Sequence, residues 1–207
     1  MDKQKWNDRY KESDFAFGTE PNEFLKEWLA QFPPSNILFP AEGEGRNAVY
    51  SAQLGWNVTA FDQSEEGKEK AMLLANQKKV TVNYFIDNCE NLPFAENSFD
   101  AICFIYAHFN AEKKADYHTR LNKYLIKNGI VIFEAFSKEH LEYRTQNPNI
   151  GGPTDLASLY SEEEIKIYYK DFEIVYLKTE IINLSEGKYH NGQGSVIRFV
   201  GRKNVAK

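Results

Sequence analysis

A chain of 207 residues is long enough for one domain with a full hydrophobic core and too short for two of ordinary size. With 42% hydrophobic and 27% charged residues it has an ordinary globular composition, and a formal net charge of −5 offers no basic field for nucleic acid. Cys89 and Cys103, the two cysteines, have no metal-ligand company, and no signal-peptide core or transmembrane-length apolar run occurs, so a reduced, cytoplasmic protein free of membrane is expected.

Residues 1–31 read as two helical pieces separated at Phe17-Gly18-Thr19. Thr19 or Asn22 caps the second piece, where Phe24, Leu25 and Trp28 recur at helical spacing. Pro33-Pro34 ends it. A regular alternation follows: strand 36–40, helix 45–54 with Gly55 as its C-cap, strand 57–61, helix 65–78 and strand 80–86. Next come strand 101–109 and a helix with Tyr117, Leu121, Tyr124 and Leu125 on one face, stopped by Asn128-Gly129. A fifth strand covers 130–136. Such alternation predicts right-handed crossovers and a parallel sheet covered on both faces.

The rhythm then breaks. Residues 143–160 lack periodicity and are long for a connection, which fits either a lid over a pocket, closing with Trp6, Tyr10 and Phe17, or a plain surface excursion. Ser161-x-x-Glu164 is a capping box opening a helix with Ile165 and Tyr168. Strands 172–183 and 195–200 have only turn-rich sequence between them, so they pair as an antiparallel hairpin. The expected fold is α/β: a Rossmann-like, doubly wound sheet of seven strands, mostly parallel, ending in an antiparallel hairpin. One domain is expected over 1–207. Within it, 1–31 would form a helical lid, 36–136 the cofactor-binding core, 143–160 a substrate loop and 172–201 the hairpin.

Residues 39–50, FPAEGEGRNAVY, sit where the first strand hands over to a helix, the place where ligands meet an open α/β sheet. Gly43-x-Gly45-x-x-Ala48 satisfies a dinucleotide pattern that is weak by itself. Glu42 and Glu44 flank Gly43 and would oppose a pyrophosphate, so a cofactor with a positive centre and no phosphate suits the loop better. Asp62, closing the second strand, stands where a carboxylate accepts hydrogen bonds from ribose hydroxyls, or where it would cap the following helix.

The succession EGEGRNA, VTAFDQS and DNCENLPFAENSFDAI resembles class I S-adenosylmethionine-dependent methyltransferases. FGTEPNEFL, GEGRN and EGKYHNG are most similar to the tellurite-resistance-like branch acting on small molecules. The resemblance implies S-adenosylmethionine, a sulfonium without phosphate, as cofactor. It sets Gly43 and Gly45 against that cofactor and Asp62 on its ribose, with Gln63 beside it. Asp87 or Asn88 would hold the adenine amine near the Cys89 backbone. Arg46, with Asn47 next to it, would pair with the methionine carboxylate, a bidentate task suited to guanidinium. The family's acid at the end of the first strand and the glycine two residues on are here Phe39 and Ala41, and Glu42 stands in for the missing charge.

Methyl transfer from a sulfonium needs positioning above all, with a base only where the acceptor must lose a proton. Candidates at strand ends are Tyr106, His108 and Glu134, with Tyr189 and His190 in the hairpin loop. His118, read as a surface-helix residue, and His140, in a connector, are set aside. The fourth strand lacks the Asn-Pro-Pro-Tyr type sequence that grips an exocyclic amine of a nucleic acid, so the expected partner is a small molecule: a thiol, chalcogen oxyanion, amine or hydroxyl. Two other classes stay open, a non-catalytic S-adenosylmethionine-binding module and a nicotinamide-dependent oxidoreductase.

Overall fold

The protein was analysed as a computed structural model, which describes residues 3–204; the ends of the expected 1–207 domain, residues 1, 2 and 205–207, lie outside the described residues. Two short helices come first, α1 (Lys3–Tyr10) and α2 (Glu23–Leu29). Asn22 caps α2 by accepting from the Leu25 N–H at 3.0 Å. The alternating unit then runs β1 (Asn36–Pro40), α3 (Arg46–Gln53), β2 (Asn57–Asp62), α4 (Glu65–Lys78) and β3 (Asn83–Ile86). It continues through β4 (Phe99–Ile105), α5 (Ala111–Tyr124) and β5 (Leu125–Phe136). After α6 (His140–Gln146) and two 3₁₀ turns come α7 (Glu162–Tyr168), β6 (Phe172–Glu186) and β7 (His190–Lys203).

The seven strands lie in the order β3-β2-β1-β4-β5-β7-β6, parallel except that β7 runs antiparallel to β5 and β6. This is the expected Rossmann-like methyltransferase sheet. Burial follows from period-two alternation. Ile37, Phe39, Ala101, Cys103, Ile105, Ile130 and Ile132 face α2, α3 and α4. Leu38, Ile102, Phe104, Val131 and Phe133 face α5 and α7. Both faces are dry, so a one-residue slip in any central strand would exchange two cores of different shape.

Several boundaries differ from the sequence reading. β3 starts at Asn83, because Lys79 turns left-handed (φ 57°) and the Val80 N–H closes onto Ala75 as the end of α4. β4 stops at Ile105, because Tyr106 has φ 53°. α5 stops at Tyr124, not at Asn128; Leu125 already pairs with Phe99, and Asn128 (φ 62°) turns the chain within β5. The hairpin is longer than its apolar pattern, since residues 184–186 and 190–194, with Leu184 the one large apolar side chain among them, pair across the sheet and only 187–189 form the turn. Backbone pairing is indifferent to side-chain polarity at an edge, so the ladder outruns the hydrophobic signal.

A chain of buried charge ties the sheet to the N-terminal segment. Glu134 on β5 is fully buried and accepts from Arg198 Nε of β7 at 2.6 Å and from Asn22 Nδ2 at 2.6 Å. Arg198 also pairs with Glu180 at 3.1 Å. Removing one partner strands a buried charge, whereas removing both does not. Arg198→Met is therefore expected to cost about 3–5 kcal/mol in urea unfolding, and the double variant Glu134→Gln/Arg198→Met to recover most of that loss. Equal stability of Arg198→Met and the parent would show that the pair is not structural.

Candidate active site

β1 delivers the chain to a tight reversal. Ala41, Gly43 and Gly45 all take left-handed φ values (52°, 63° and 85°), which turn the backbone through the loop and into α3. Ala41 thus holds the conformation that the family pattern assigns to glycine. A Cβ on Gly43 would lie 2.6 Å from the Tyr10 hydroxyl, and one on Gly45 2.5 Å from Ala71 Cβ. The two glycines serve close packing against α1 and α4, and neither lines the cavity described below.

The two loop glutamates diverge. Glu42 Oε1 accepts from the Asn47 and Ala48 N–H groups at 3.0 and 2.8 Å, capping the first turn of α3 because Gly45 has no side chain to do so. Glu44 turns the other way, onto Lys70 at 2.9 Å and the Ala16 N–H at 2.8 Å. The expectation that both acids face the ligand is corrected: Lys70 neutralises Glu44 outside the cavity, and the second acid beside Glu42 is Asp62. Burial pushes the Glu42 carboxyl up to about 7, against the Ala48 and Asn47 amides and the Arg46 charge. It pushes Asp62 up to about 6, against the amides of Ser64, Gly43 and Gln63.

Asp62 accepts from Gly43 N–H at 3.1 Å through one oxygen and from Ser64 N–H at 2.9 Å through the other. Ser64 itself caps α4, bonding the Gly67 N–H at 3.0 Å, so the helix-cap reading of Asp62 gives way. Each Asp62 oxygen keeps acceptor capacity. Next to it, Gln63 Nε2 is buried without a hydrogen-bond partner among the described residues. At the neighbouring strand end the Asp87 N–H donates to the Asp62 carbonyl, while the Asp87 carboxylate folds onto the N–H groups of Asn88 and Cys89. Asn88 in turn accepts from the Glu90 N–H, and Cys89 is buried with φ 74°. This 87–89 turn borders Asp62 without lining the cavity.

The cavity, of about 420 Å³, opens at the carboxyl ends of β1, β2 and β4. Glu42, Asp62, Arg46 and Asn47 line one part. Tyr106, His108, Tyr189 and His190 line another, although the hairpin tip lies far from the loop in sequence. The topology accounts for this: β6 runs parallel to β1–β5, so the 187–189 turn emerges at their carboxyl edge. Trp6, Tyr10 and Phe17 cover the cavity from the N-terminal side, and Gly151, Gly152 and Pro153 from the 143–160 segment. That segment, aperiodic in sequence, carries the end of α6 and both 3₁₀ turns.

Arg46 is buried, at 8% exposure, and so is not a solvent-facing helix residue. Its Nη2 pairs with Glu186 at 2.9 Å, and its Nη1 reaches the carbonyls of Phe17 and Glu20. A ligand carboxylate would share Arg46 with Glu186. Glu186 also accepts from His190 Nδ1 at 2.9 Å and from Asn22 Nδ2 at 3.2 Å. Burial, which would raise its pKa, is outweighed by the His190 hydrogen bond and the Arg46 charge, and the carboxyl is held down to about 2. An ionised carboxylate only accepts, so Nδ1 of His190 carries the proton and Nε2 keeps its lone pair. Burial lowers the His190 pKa, against the pull of Glu186, and so favours the neutral ring.

The other candidates differ. His108 lines the cavity, but Nδ1 donates to the Ser158 carbonyl at 3.0 Å and Nε2 accepts from the Phe136 N–H at 3.2 Å. No ring nitrogen remains for a substrate, and burial lowers its pKa to about 3. Tyr106 packs at a tilt against Phe136 and edge-on against His190, and its buried hydroxyl makes no well-formed hydrogen bond among the described residues. Tyr189 donates from its hydroxyl to Glu12 at 2.8 Å. Glu134 is committed to the Arg198 pair and does not line the cavity. His118 is no surface residue: it is fully buried and bonded through both nitrogens to Tyr160 and Tyr169. His140 is likewise buried, between Gly151 and Ser195. Glu186 and Asn22 were not legible as site residues; the sequence signal for Glu186 is its i, i+4 spacing to His190 across a glycine turn.

Sheet order, glycine reversal and the acid at the end of β2 are those of a Rossmann-like methyltransferase fold. Residues 40–133 match the methyltransferase domain family, so the chain carries an S-adenosylmethionine-dependent methyltransferase domain over that stretch. That sets aside the nicotinamide-dependent alternative. No curated protein matches the sequence. Among solved structures, one concerning the conversion of a disulfide bond into a thioacetal group during echinomycin biosynthesis superposes with TM-score 0.77, at 14% identity over 98% of this chain and 92% of that one. TehB from Haemophilus influenzae gives 0.71 at 17% identity over 98% and 67%. Magnesium protoporphyrin IX methyltransferase (ChlM) from Synechocystis PCC 6803, solved with bound SAH, gives 0.65 at 15% identity over 88% and 80%. At such identities these structures show the shared fold. Among the described residues no helix is long and apolar enough to cross a membrane.

The residues present fit this cofactor: Asp62 lines the cavity with open acceptor capacity, and beside it, outside the lining, Gln63 Nε2 is buried without a partner among the described residues. Both acids hold protons more tightly in the folded chain than their ordinary 4.5 and 3.8, so their contribution to the stability of the ligand-free protein falls as pH rises through those values toward 7. A sulfonium favours their ionised forms. Cofactor affinity is therefore expected to rise about tenfold as pH climbs through 6 to 7, with protons released on binding. Calorimetry in buffers of different ionisation enthalpy measures that release; pH-independent affinity would count against the two carboxylates ionising on cofactor binding.

Proposed function

We propose that the protein methylates a small-molecule acceptor, with Asp62 and Gln63 on the cofactor ribose and Glu42 facing its positive charge. Arg46 and Asn47 take the methionine end, and the 87–89 turn lies beside the adenine. Residues 1–31 and 143–160 act as covers over the 36–136 core, and the 172–201 hairpin brings Tyr189 and His190 to the acceptor. The similarity to TehB and the EGKYHNG stretch support placing it near the tellurite-resistance-like branch. The observation that carries this reading is the single cavity shared by an acidic end, Glu42 and Asp62, and by the neutral His190 ring.

S-adenosylmethionine, when bound, supplies an electrophilic methyl group on a sulfonium, so the protein's task is placement. Tyr106 and Phe136 fix the His190 ring from two sides, at centroid distances of 4.6 and 5.2 Å. Glu186 holds its tautomer, leaving Nε2 to take a proton from a thiol, hydroxyl or ammonium acceptor. The cavity and the net charge of −5 favour such acceptors over nucleic acid.

Formation of S-adenosylhomocysteine on incubation with panels of thiols, amines, hydroxyl compounds and chalcogen oxyanions tests the reading. Turnover with nucleic acid alone would overturn it. In the same assay His190→Asn is expected to slow proton-bearing acceptors by about 10²–10⁴-fold while leaving cofactor affinity within about twofold. Asp62→Asn keeps one acceptor oxygen for the loop but loses the charge, and should weaken the cofactor by about 1.5–3 kcal/mol in calorimetry. Unchanged affinity in that folded variant would take Asp62 off the ribose.

A further inference from the structure

Two arginines that the cofactor reading does not use line the same cavity. Arg9 comes from α1 and Arg144 from α6, and both are half-buried. Arg9 lies 4.3 Å from the Tyr189 ring centroid and 5.1 Å from that of Trp6. Arg144 Nη1 donates to the carbonyl of Gly151 at 2.7 Å and, at 3.4 Å, to that of Pro148. Neither has a carboxylate partner among the described residues, whereas Arg46, Arg120 and Arg198 each have one. Burial and then the nearby Arg9 charge lower the Arg144 pKa, so the two cations feel each other. The acids of the cavity do not relieve them: Glu42 caps α3 and Asp62 is tied to Gly43 and Ser64. Glu12, on the Tyr189 hydroxyl, is engaged by Lys188 at 2.6 Å. Like charges held together with no counter-ion raise the free energy of the empty site, and a bound anion removes that cost.

Between Arg9 and the base stands an aromatic wall. The Tyr189 ring lies 6.1 Å from Phe17, Phe17 lies 4.5 Å from His190, and His190 lies 4.6 Å from Tyr106. A ligand that reaches from the guanidiniums to His190 Nε2 passes along rings. We propose that Arg9 and Arg144 form an anion subsite, and that the acceptor is a small organic anion whose carboxylate or comparable oxyanion group docks there while an apolar or aromatic body carries the nucleophile to His190. This rests on the reading of the cavity as the acceptor site. A bare inorganic oxyanion would satisfy the arginines and leave the wall unused.

Benzoate and inorganic sulfate, titrated calorimetrically into the protein with and without saturating S-adenosylhomocysteine, separate these cases. Benzoate is expected to bind more tightly than sulfate. Arg9→Gln and Arg144→Gln should each weaken benzoate about tenfold and together about a hundredfold, the loss of one and of two charge-assisted contacts. S-adenosylhomocysteine affinity should stay within about twofold in these variants. Arg120→Gln, which removes the same charge from the outside of α5, should leave benzoate affinity unchanged. Benzoate that fails to bind, binds no better than sulfate, or is indifferent to the double substitution overturns the subsite. If S-adenosylhomocysteine fails to bind the parent protein while benzoate still tracks the two arginines, the cofactor reading falls and the subsite stands.

Discussion

The site depends on one buried carboxylate. Glu186 accepts from Arg46, His190 and Asn22, side chains that belong to three separate parts of the chain. Arg46 opens the helix that follows the glycine reversal, His190 starts the last strand, and Asn22 caps α2. An unpaired carboxylate at that depth would be costly, so its three donors are drawn to it and held. Asn22 passes the constraint on, because its amide also donates to Glu134, which Arg198 neutralises. The helix after the glycine loop, the hairpin tip and the N-terminal segment are thereby registered on a common set of charges. Such a network is weak evidence for stability but strong evidence for geometry: it leaves His190 one tautomer and Arg46 one orientation.

The cavity also holds charges of both signs. Glu42 and Asp62 are kept partly protonated by burial, ready to ionise against a cation. Arg9 and Arg144 line the same space and have no carboxylate partner among the described residues. Neutral rings complete the lining, including a histidine whose protonation is opposed by burial. A cationic methyl donor and an anionic acceptor would each have groups of opposite charge to meet and groups of like charge to avoid. Selectivity of this kind comes from repulsion as much as from attraction.

The N-terminal segment completes this enclosure by close backbone contact as well as by the apolar packing of α2. The Lys188 N–H donates to the Ala16 carbonyl at 2.9 Å, and a Cβ on Gly187 would sit 2.5 Å from Gly18 N. Gly187 is left-handed (φ 61°) as well, so glycine is required twice over, for the turn and for the contact. Tyr10 fills the space over Gly43 and Gly67 in the same way. The cover fits because three glycines withdraw their side chains from it.

How much of this the sequence determined follows from the range of each interaction. Alternating apolar strands and capped helices are local signals, and they set the α/β class, the parallel order and the final antiparallel hairpin. Asp62 and the 41–45 reversal were legible because strand ends and left-handed turns leave marks in a few neighbouring residues. Element ends were less legible, since Lys79 and Tyr106 take left-handed φ values that their residue types disfavour and only tertiary packing enforces. Charges were least legible of all. The sequence displays Glu42 and Glu44 as equivalent, yet one caps a helix beside the cavity while the other is neutralised by Lys70, 26 positions away. His108 and His190 look alike as strand-end histidines, but only the latter keeps a free nitrogen, because its partner is a carboxylate and the ring nitrogens of His108 are spent on backbone. Whether a polar group is available for chemistry depends on who satisfies it. Those partners come from 4 to 164 residues away, and for the distant ones the choice is made by the folded sheet and not by any local pattern.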